Sequence, residues 1–117
     1  MPKICSIRSS YQTSFKVSVV GCGNVGATAA YAMLLDGTPT EIALIDLRKE
    51  KAEGLLLDFE HSLSLLKYTK LIASDDVSAC AGSQLIVITA GAAQKEGETR
   101  LDLCAKNKKI FEDMIPR

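Results

Sequence analysis

Residues 21–26 read GCGNVG, three glycines in the spacing GxGxxG. Glycines in this pattern can serve a phosphate group where a strand turns into a helix. Gly21 would let the chain leave the strand sharply, and Gly23 would let the backbone approach a pyrophosphate. Gly26 would let helix and strand pack closely, with Ala27, Ala29 and Ala30 extending the small face. The free N–H groups and the dipole at the helix start then face the phosphates. Alone, the triplet is a weak signal, because such glycines often mark only a tight turn. A second feature strengthens it: Asp46 lies twenty residues beyond Gly26. An acid there can accept hydrogen bonds from an adenosine ribose and would repel a 2′-phosphate. Arg48 and Lys49 temper that preference, since basic side chains at this place can accept a phosphate, and Asp46 also reads simply as a helix N-terminal acid.

A third candidate is Arg100, in the polar run GAAQKEGETRLDL at residues 91–103, between the apolar LIVIT and an amphipathic stretch ending at IFEDMIP. Most charged loops are solvated connections. This one follows a strand at the carboxyl edge of a sheet, where a flexible segment can act as a lid. Arg100 at its far end could pair with a carbonyl oxygen and stabilise negative charge growing there during reduction.

These residues need a scaffold, and the hydrophobic pattern supplies one. KVSVVG at 16–21 is a β-branched run closed by glycine; ATAAYAMLLDG then turns helical, with Gly37 as its C-cap. EIALID at 41–46 is near-continuously apolar, as strands buried on both faces are. Ala52, Leu55, Leu56, Phe59 and Leu63 then recur at helical spacing. KLIAS, a turn or short helix from Asp75 to Gly82, and LIVITAG follow. A last helix is expected from near Thr99, with Thr99 and Asp102 at capping-box spacing and Leu103, Ala105, Ile110, Met114 and Ile115 as its inward stripe. Alternating strands and helices predict a parallel α/β layer structure. With glycines, strand, helix and acid in register, NAD is the expected cofactor.

Composition narrows the partners. The 117 residues are 47% hydrophobic, enough for one core. Fourteen basic residues balance fourteen acidic ones, leaving no basic stripe for nucleic acid, and no apolar run approaches the length of a membrane span. Small molecules or further copies of the chain are the expected partners. Cysteines 5, 22, 80 and 104 have no CxxC spacing and no cluster with the single histidine, so neither zinc nor a redox pair is suggested, and a reducing, cytoplasmic setting fits. Residues 1–16 carry Lys3, Arg8, Lys16, four serines and no acid, as transit peptides do. Their brevity and lack of an amphipathic face favour an ordinary N-terminal arm over residues 1–15.

The segments VVGCGNVGATAAYAMLL, ALIDL, LLLDFEHS and ITAGAAQKEGETRLDLCAKNKKIFEDMIP closely resemble the NAD-dependent L-lactate and malate dehydrogenases, over residues 16–116. The resemblance implies hydride transfer between a nicotinamide and a 2-hydroxy or 2-oxo acid, and a NAD-binding Rossmann domain over residues 16–117. It also implies a doubly wound sheet, of which the chain holds the first four strands in order 3-2-1-4. Arg100 matches the loop arginine that polarises the substrate carbonyl. Gln94 matches the substrate discriminator, where a neutral side chain accepts the methyl group of pyruvate and an arginine would bind the second carboxylate of oxaloacetate. Asn24 and Val25 match the phosphate turn, Lys51 a basic residue after the ribose-binding acid, and Gly91 and Ala92 the backbone beside the cofactor. Thr89 is expected only to pack. Ala93 departs from the arginine of animal lactate dehydrogenases and fits a bacterial pattern.

His61, the only histidine, matches a non-catalytic segment of the family and is expected to be structural. The family's catalytic histidine, its orienting aspartate and its carboxylate-gripping arginine match segments beyond residue 117. The domain is therefore expected to be incomplete, the catalytic domain absent, and the chain inactive alone. Its fourth strand is expected to be an apolar edge through which it pairs with another copy. Two other readings stay open: a self-standing, non-catalytic dinucleotide-binding module, and a malate dehydrogenase, which Gln94 disfavours.

Overall fold

The computed structural model describes residues 13–63 and 69–115, with Leu63 described by its backbone only. The first twelve residues of the expected arm, and the side chain of Leu63 in its expected stripe, lie outside them. Four parallel strands form one sheet: β1 (Lys16–Val20), β2 (Glu41–Ile45), β3 (Lys70–Ser74) and β4 (Leu85–Ile88), in spatial order β3-β2-β1-β4. This is the order expected from the sequence. The helices are α1 (Asn24–Asp36), α2 (Lys49–Leu63) and α3 (Arg100–Met114), with a 3-10 turn at Val77–Cys80 between β3 and β4.

Apart from buried Ser18 and the leading Lys16 and Glu41, the two central strands are apolar on both faces because both faces are covered. Towards α1 and α2, Val19, Ile42 and Leu44 pack with Ala30, Leu34, Ala52 and Phe59. On the opposite face, Val20, Ala43 and Ile45 pack with Ile72, Ala79 and Met114. Removing a Val, Leu or Ile side chain of this kind from water contributes about 1.5–3 kcal/mol. The Tyr31 and Phe59 rings, 5.6 Å apart, join α1 to α2. At the amino edge of the sheet, Glu41 pairs with Lys16 at 3.4 Å and Lys70 at 3.5 Å. These three residues are in register on neighbouring strands, so the ion pairs favour that alignment.

Helix α1 ends at Gly37, whose φ of 71° and N–H bond to the Met33 carbonyl form the expected cap. It begins at Asn24, three residues before the run read as helical, which puts Gly26 in its first turn. Helix α3 starts at Arg100 with the Thr99–Asp102 capping box in place. Its half-buried stripe differs from expectation: Leu103, Asn107, Ile110, Phe111 and Met114 face inward, whereas Ala105 is exposed and Ile115 is 67% exposed. The reason is angular. Ala105 sits about 200° around the helix from Leu103, while Asn107 and Ile110, four and seven residues on, share its face. No helix among the described residues is long and apolar enough to cross a membrane.

Candidate functional site

The glycine-rich turn joins β1 to α1 at the carboxyl edge of the sheet, held from both sides. From β2, the Ile45 carbonyl accepts the Gly21 N–H at 2.7 Å, and Asp46 Oδ2 accepts the Cys22 N–H at 2.9 Å. From beyond β4, the Thr89 hydroxyl donates to the Gly21 carbonyl at 2.8 Å. Thr89 therefore does more than pack. Gly21 has φ +99°, and a Cβ there would lie 2.6 Å from the Ala90 nitrogen; glycine alone meets both conditions. A Cβ at Gly26 would collide with the Gly21 carbonyl oxygen and come within 2.6 Å of the Thr89 hydroxyl. Gly23 differs, since a Cβ there would meet nothing within 4 Å. Its openness leaves room for a ligand to approach the backbone.

The amides of Asn24, Val25 and Gly26 open α1 and have no acceptor within the helix, so they carry the positive end of its dipole. Val25 is 71% exposed and Asn24 is exposed, whereas Gly26 is buried against the turn. Asp46 caps the end of β2: its N–H donates to the Ser74 carbonyl at 3.1 Å, and its Oδ1 accepts the Arg48 N–H at 3.0 Å. With Cys22 on Oδ2, each carboxylate oxygen keeps acceptor capacity. Burial pushes the Cys22 thiol up to about 11, with the Asp46 carboxylate adding and Lys51 opposing.

A cleft of about 560 Å³ opens at this edge, within the range of small-molecule sites. Gly21, Gly23, Asp46, Lys51, Gly91 and Ala92 line it, together with Arg48 and Asp75 on the β2–β3 side and Ile110 and Met114 from α3. Asn24, Val25 and Gly26 belong to the adjoining turn and do not line it.

Gln94 and Arg100 do not line it either. The Gln94 side-chain amide donates to the Glu98 carbonyl at 2.8 Å, and the Lys95 N–H donates to the Glu98 carboxylate at 3.0 Å. Gly97, with φ +85°, allows the turn that returns the Glu98 N–H to the Lys95 carbonyl at 3.0 Å. Glu98 also pairs with Lys106 of α3. Arg100 is exposed in the first turn of α3, and among the described residues its guanidinium makes no hydrogen bond or ion pair. His61 is exposed in the last turn of α2, away from the cleft lining.

Sequence reasoning missed Asn107. Its Oδ1 accepts the Ala92 N–H at 2.9 Å and ties the exit of β4 to α3. A polar residue interrupting the apolar stripe between Leu103 and Ile110 was the available signal.

The family profile described as lactate/malate dehydrogenase, NAD binding domain, matches residues 15–117. An L-lactate dehydrogenase of Clostridium botulinum strain Hall is 50% identical over 102 residues, which is 87% of this chain and 32% of that protein. One from Thermoanaerobacterium saccharolyticum is 52% identical over 103 residues, 86% of this chain and 32% of that protein. Among solved structures, a minor L-lactate dehydrogenase from Enterococcus mundtii superposes with a TM-score of 0.81 at 39% identity, covering 88% of this chain and 33% of its own. A malate dehydrogenase from Archaeoglobus fulgidus in complex with NADH gives 0.81 at 42% identity, covering 87% of this chain and 35% of its own. The chain spans about a third of the length of the curated relatives it matches. On these matches and on its own fold, the chain belongs to the lactate/malate dehydrogenase NAD-binding domain family.

Proposed function

We propose that this chain is the NAD-binding part of an NAD-dependent L-lactate dehydrogenase, with residues 16–117 as its Rossmann domain. The observation that carries the reading is the cleft itself, where the open backbone at Gly23 and a carboxylate with spare acceptor capacity at Asp46 share one wall. The free amides at the start of α1 adjoin it and suit a pyrophosphate. Asp46 suits the 2′- and 3′-hydroxyls of the adenosine ribose and disfavours a 2′-phosphate. Lys51 adds positive charge beside it, and the backbone of Gly91 and Ala92 lines the side towards the nicotinamide. NADH held there would supply the hydride for reduction of a 2-oxo acid.

Arg100 would stabilise the growing negative charge on the carbonyl oxygen, and Gln94 would select pyruvate over oxaloacetate. Both act only after Gln94 leaves Glu98 and the segment 91–99 moves over the cleft, a motion of the kind that lids make. No histidine of the described residues reaches the cleft to exchange the proton, and loss of that function costs on the order of a hundredfold to ten-thousandfold. We expect the chain alone to bind NADH without reducing pyruvate. The free thiols of Cys22, Cys80 and Cys104 support a reducing, cytoplasmic setting.

Fluorescence titration with NADH, with and without oxamate as a pyruvate mimic, tests this reading. The expected result is NADH binding that oxamate leaves unchanged; tightening by oxamate would mean that a working substrate site is already present. The alternative of a non-catalytic dinucleotide-binding module is favoured by the position of Gln94 and Arg100 outside the cleft. Pyruvate reduction restored by supplying the catalytic portion of a relative in trans would exclude it. In that reconstituted system Gln94→Arg should shift preference towards oxaloacetate, and an unchanged preference would remove the discriminator role.

A further inference from the structure

We propose that Asp46 is a positioning residue for the glycine-rich turn, holding it through the Cys22 amide in addition to any contact with a ribose. That the turn faces a phosphate rests on the cofactor reading above; the tie between turn and carboxylate does not. The positive φ of Gly21 sends the chain across the end of β2, where the Cys22 N–H meets Asp46 Oδ2 at 2.9 Å. Cys22 is only 4% exposed, so this N–H would be a poorly solvated donor without a partner if the carboxylate were absent. The carboxylate is itself fixed, by the bond from the Asp46 N–H to the Ser74 carbonyl and by the bond from the Arg48 N–H to Oδ1. Asp46 thus links the turn to the ends of β2 and β3.

The Cys22 side chain gives this link a reporter. It points into the core among Val19, Ala30 and Leu44, with Sγ 3.7 Å from the Ile45 carbonyl. The turn cannot lift from Asp46 without drawing the thiol towards solvent. Asp46→Asn keeps an oxygen able to accept the Cys22 N–H, whereas Asp46→Ala does not. Both remove the charge that helps to suppress thiolate formation at Cys22, so a difference between the two variants does not come from that charge.

The test is N-ethylmaleimide labelling of the chain without nucleotide, read at each cysteine by peptide mass spectrometry, with exposed Cys104 as the internal reference. The expected result is slow labelling of Cys22 in the wild type and Asp46→Asn, and at least tenfold faster labelling in Asp46→Ala, with Cys104 constant. Equal Cys22 rates in the two variants would overturn the proposal. Should Asp46→Ala fail to fold, amide exchange in the wild type decides: the Cys22 N–H is expected to exchange at least tenfold more slowly than the Gly23 N–H, and equal protection would overturn the proposal. A separate NADH titration keeps the two ideas apart, because absent binding with the expected cysteine pattern would sink the cofactor reading and leave the positioning role standing.

Discussion

Gly23 and Gly26 occupy one motif and face opposite constraints. Gly26 is filled space: Gly26→Ala forces the turn or the Thr89 hydroxyl aside, and overpacking of this kind costs about 1–3 kcal/mol of stability. Gly23 is open space with ordinary extended backbone, so Gly23→Ala should leave stability within about 0.5 kcal/mol of wild type. The same methyl group would stand where a pyrophosphate must approach, and NADH affinity should fall by about tenfold or more, or about 1.4 kcal/mol. Urea unfolding and calorimetry on the two variants check both halves, and a Gly23→Ala chain that binds NADH normally would contradict the placement of the phosphates. Cys22 carries a pH signature. Its thiol loses its proton near 9.0 when unfolded and near 11 when folded, so its contribution to stability is complete below 9.0 and is lost as pH rises from there to about 11. Cys22→Ala should flatten that decline in urea unfolding; parallel declines in the two proteins would count against it.

Helix α3 is the element to which the loop is tied, through Asn107 and Lys106, and much of it was legible in the sequence. Its start was readable because Thr99 and Asp102 stand at capping-box spacing, and both reciprocal bonds are present. The Thr99 hydrogen bonds hold the Asp102 carboxyl below its usual 3.8. The carboxylate's part of the cap is therefore fully present above pH 3.8 and is lost as pH falls through the lowered value. Thr99→Ala should cost about 0.5–2 kcal/mol and loosen the first turn that carries Arg100, seen as faster amide exchange at residues 100–103. Unchanged exchange there would show that the cap is not what fixes Arg100. The stripe along α3 was only partly legible. Apolar type alone admitted Ala105 and Ile115, whereas Asn107 takes an inward position because its acceptor satisfies the Ala92 amide. Likewise, the polar composition of residues 91–99 identified a loop but not the contacts of Glu98 with Gln94, Lys95 and Lys106, which depend on how the chain folds back.

The sheet as a whole was legible because β1 and β2 are buried on both faces, which the β-branched run of β1 and the near-continuous apolar run of β2 record. The expected apolar edge at β4 is present, with Leu85, Ile86 and Ile88 45%, 46% and 36% exposed, although LIVI is as apolar as the central strands and only the strand order, not the apolar run, told edge from centre. Such an edge invites another strand, so the chain should self-associate as concentration rises, and Ile86→Lys should hold it monomeric. Sedimentation showing a clean monomer of the wild type at high concentration would contradict this. The place of the cleft was legible from Gly21, Gly23 and Asp46, all of which line it, because a glycine turn after one strand and an acid at the end of the next mark one edge of the sheet. We expect this cleft to receive NADH with its phosphates at the turn and its ribose at Asp46. Amide chemical-shift mapping during an NADH titration tests it most directly. The predicted shifts concentrate at Gly23–Gly26, Asp46–Lys51 and Gly91–Ala92, with Lys16, Glu41 and Lys70 at the far edge of the sheet unmoved. Saturating NADH that leaves the turn and Asp46 unshifted would contradict it.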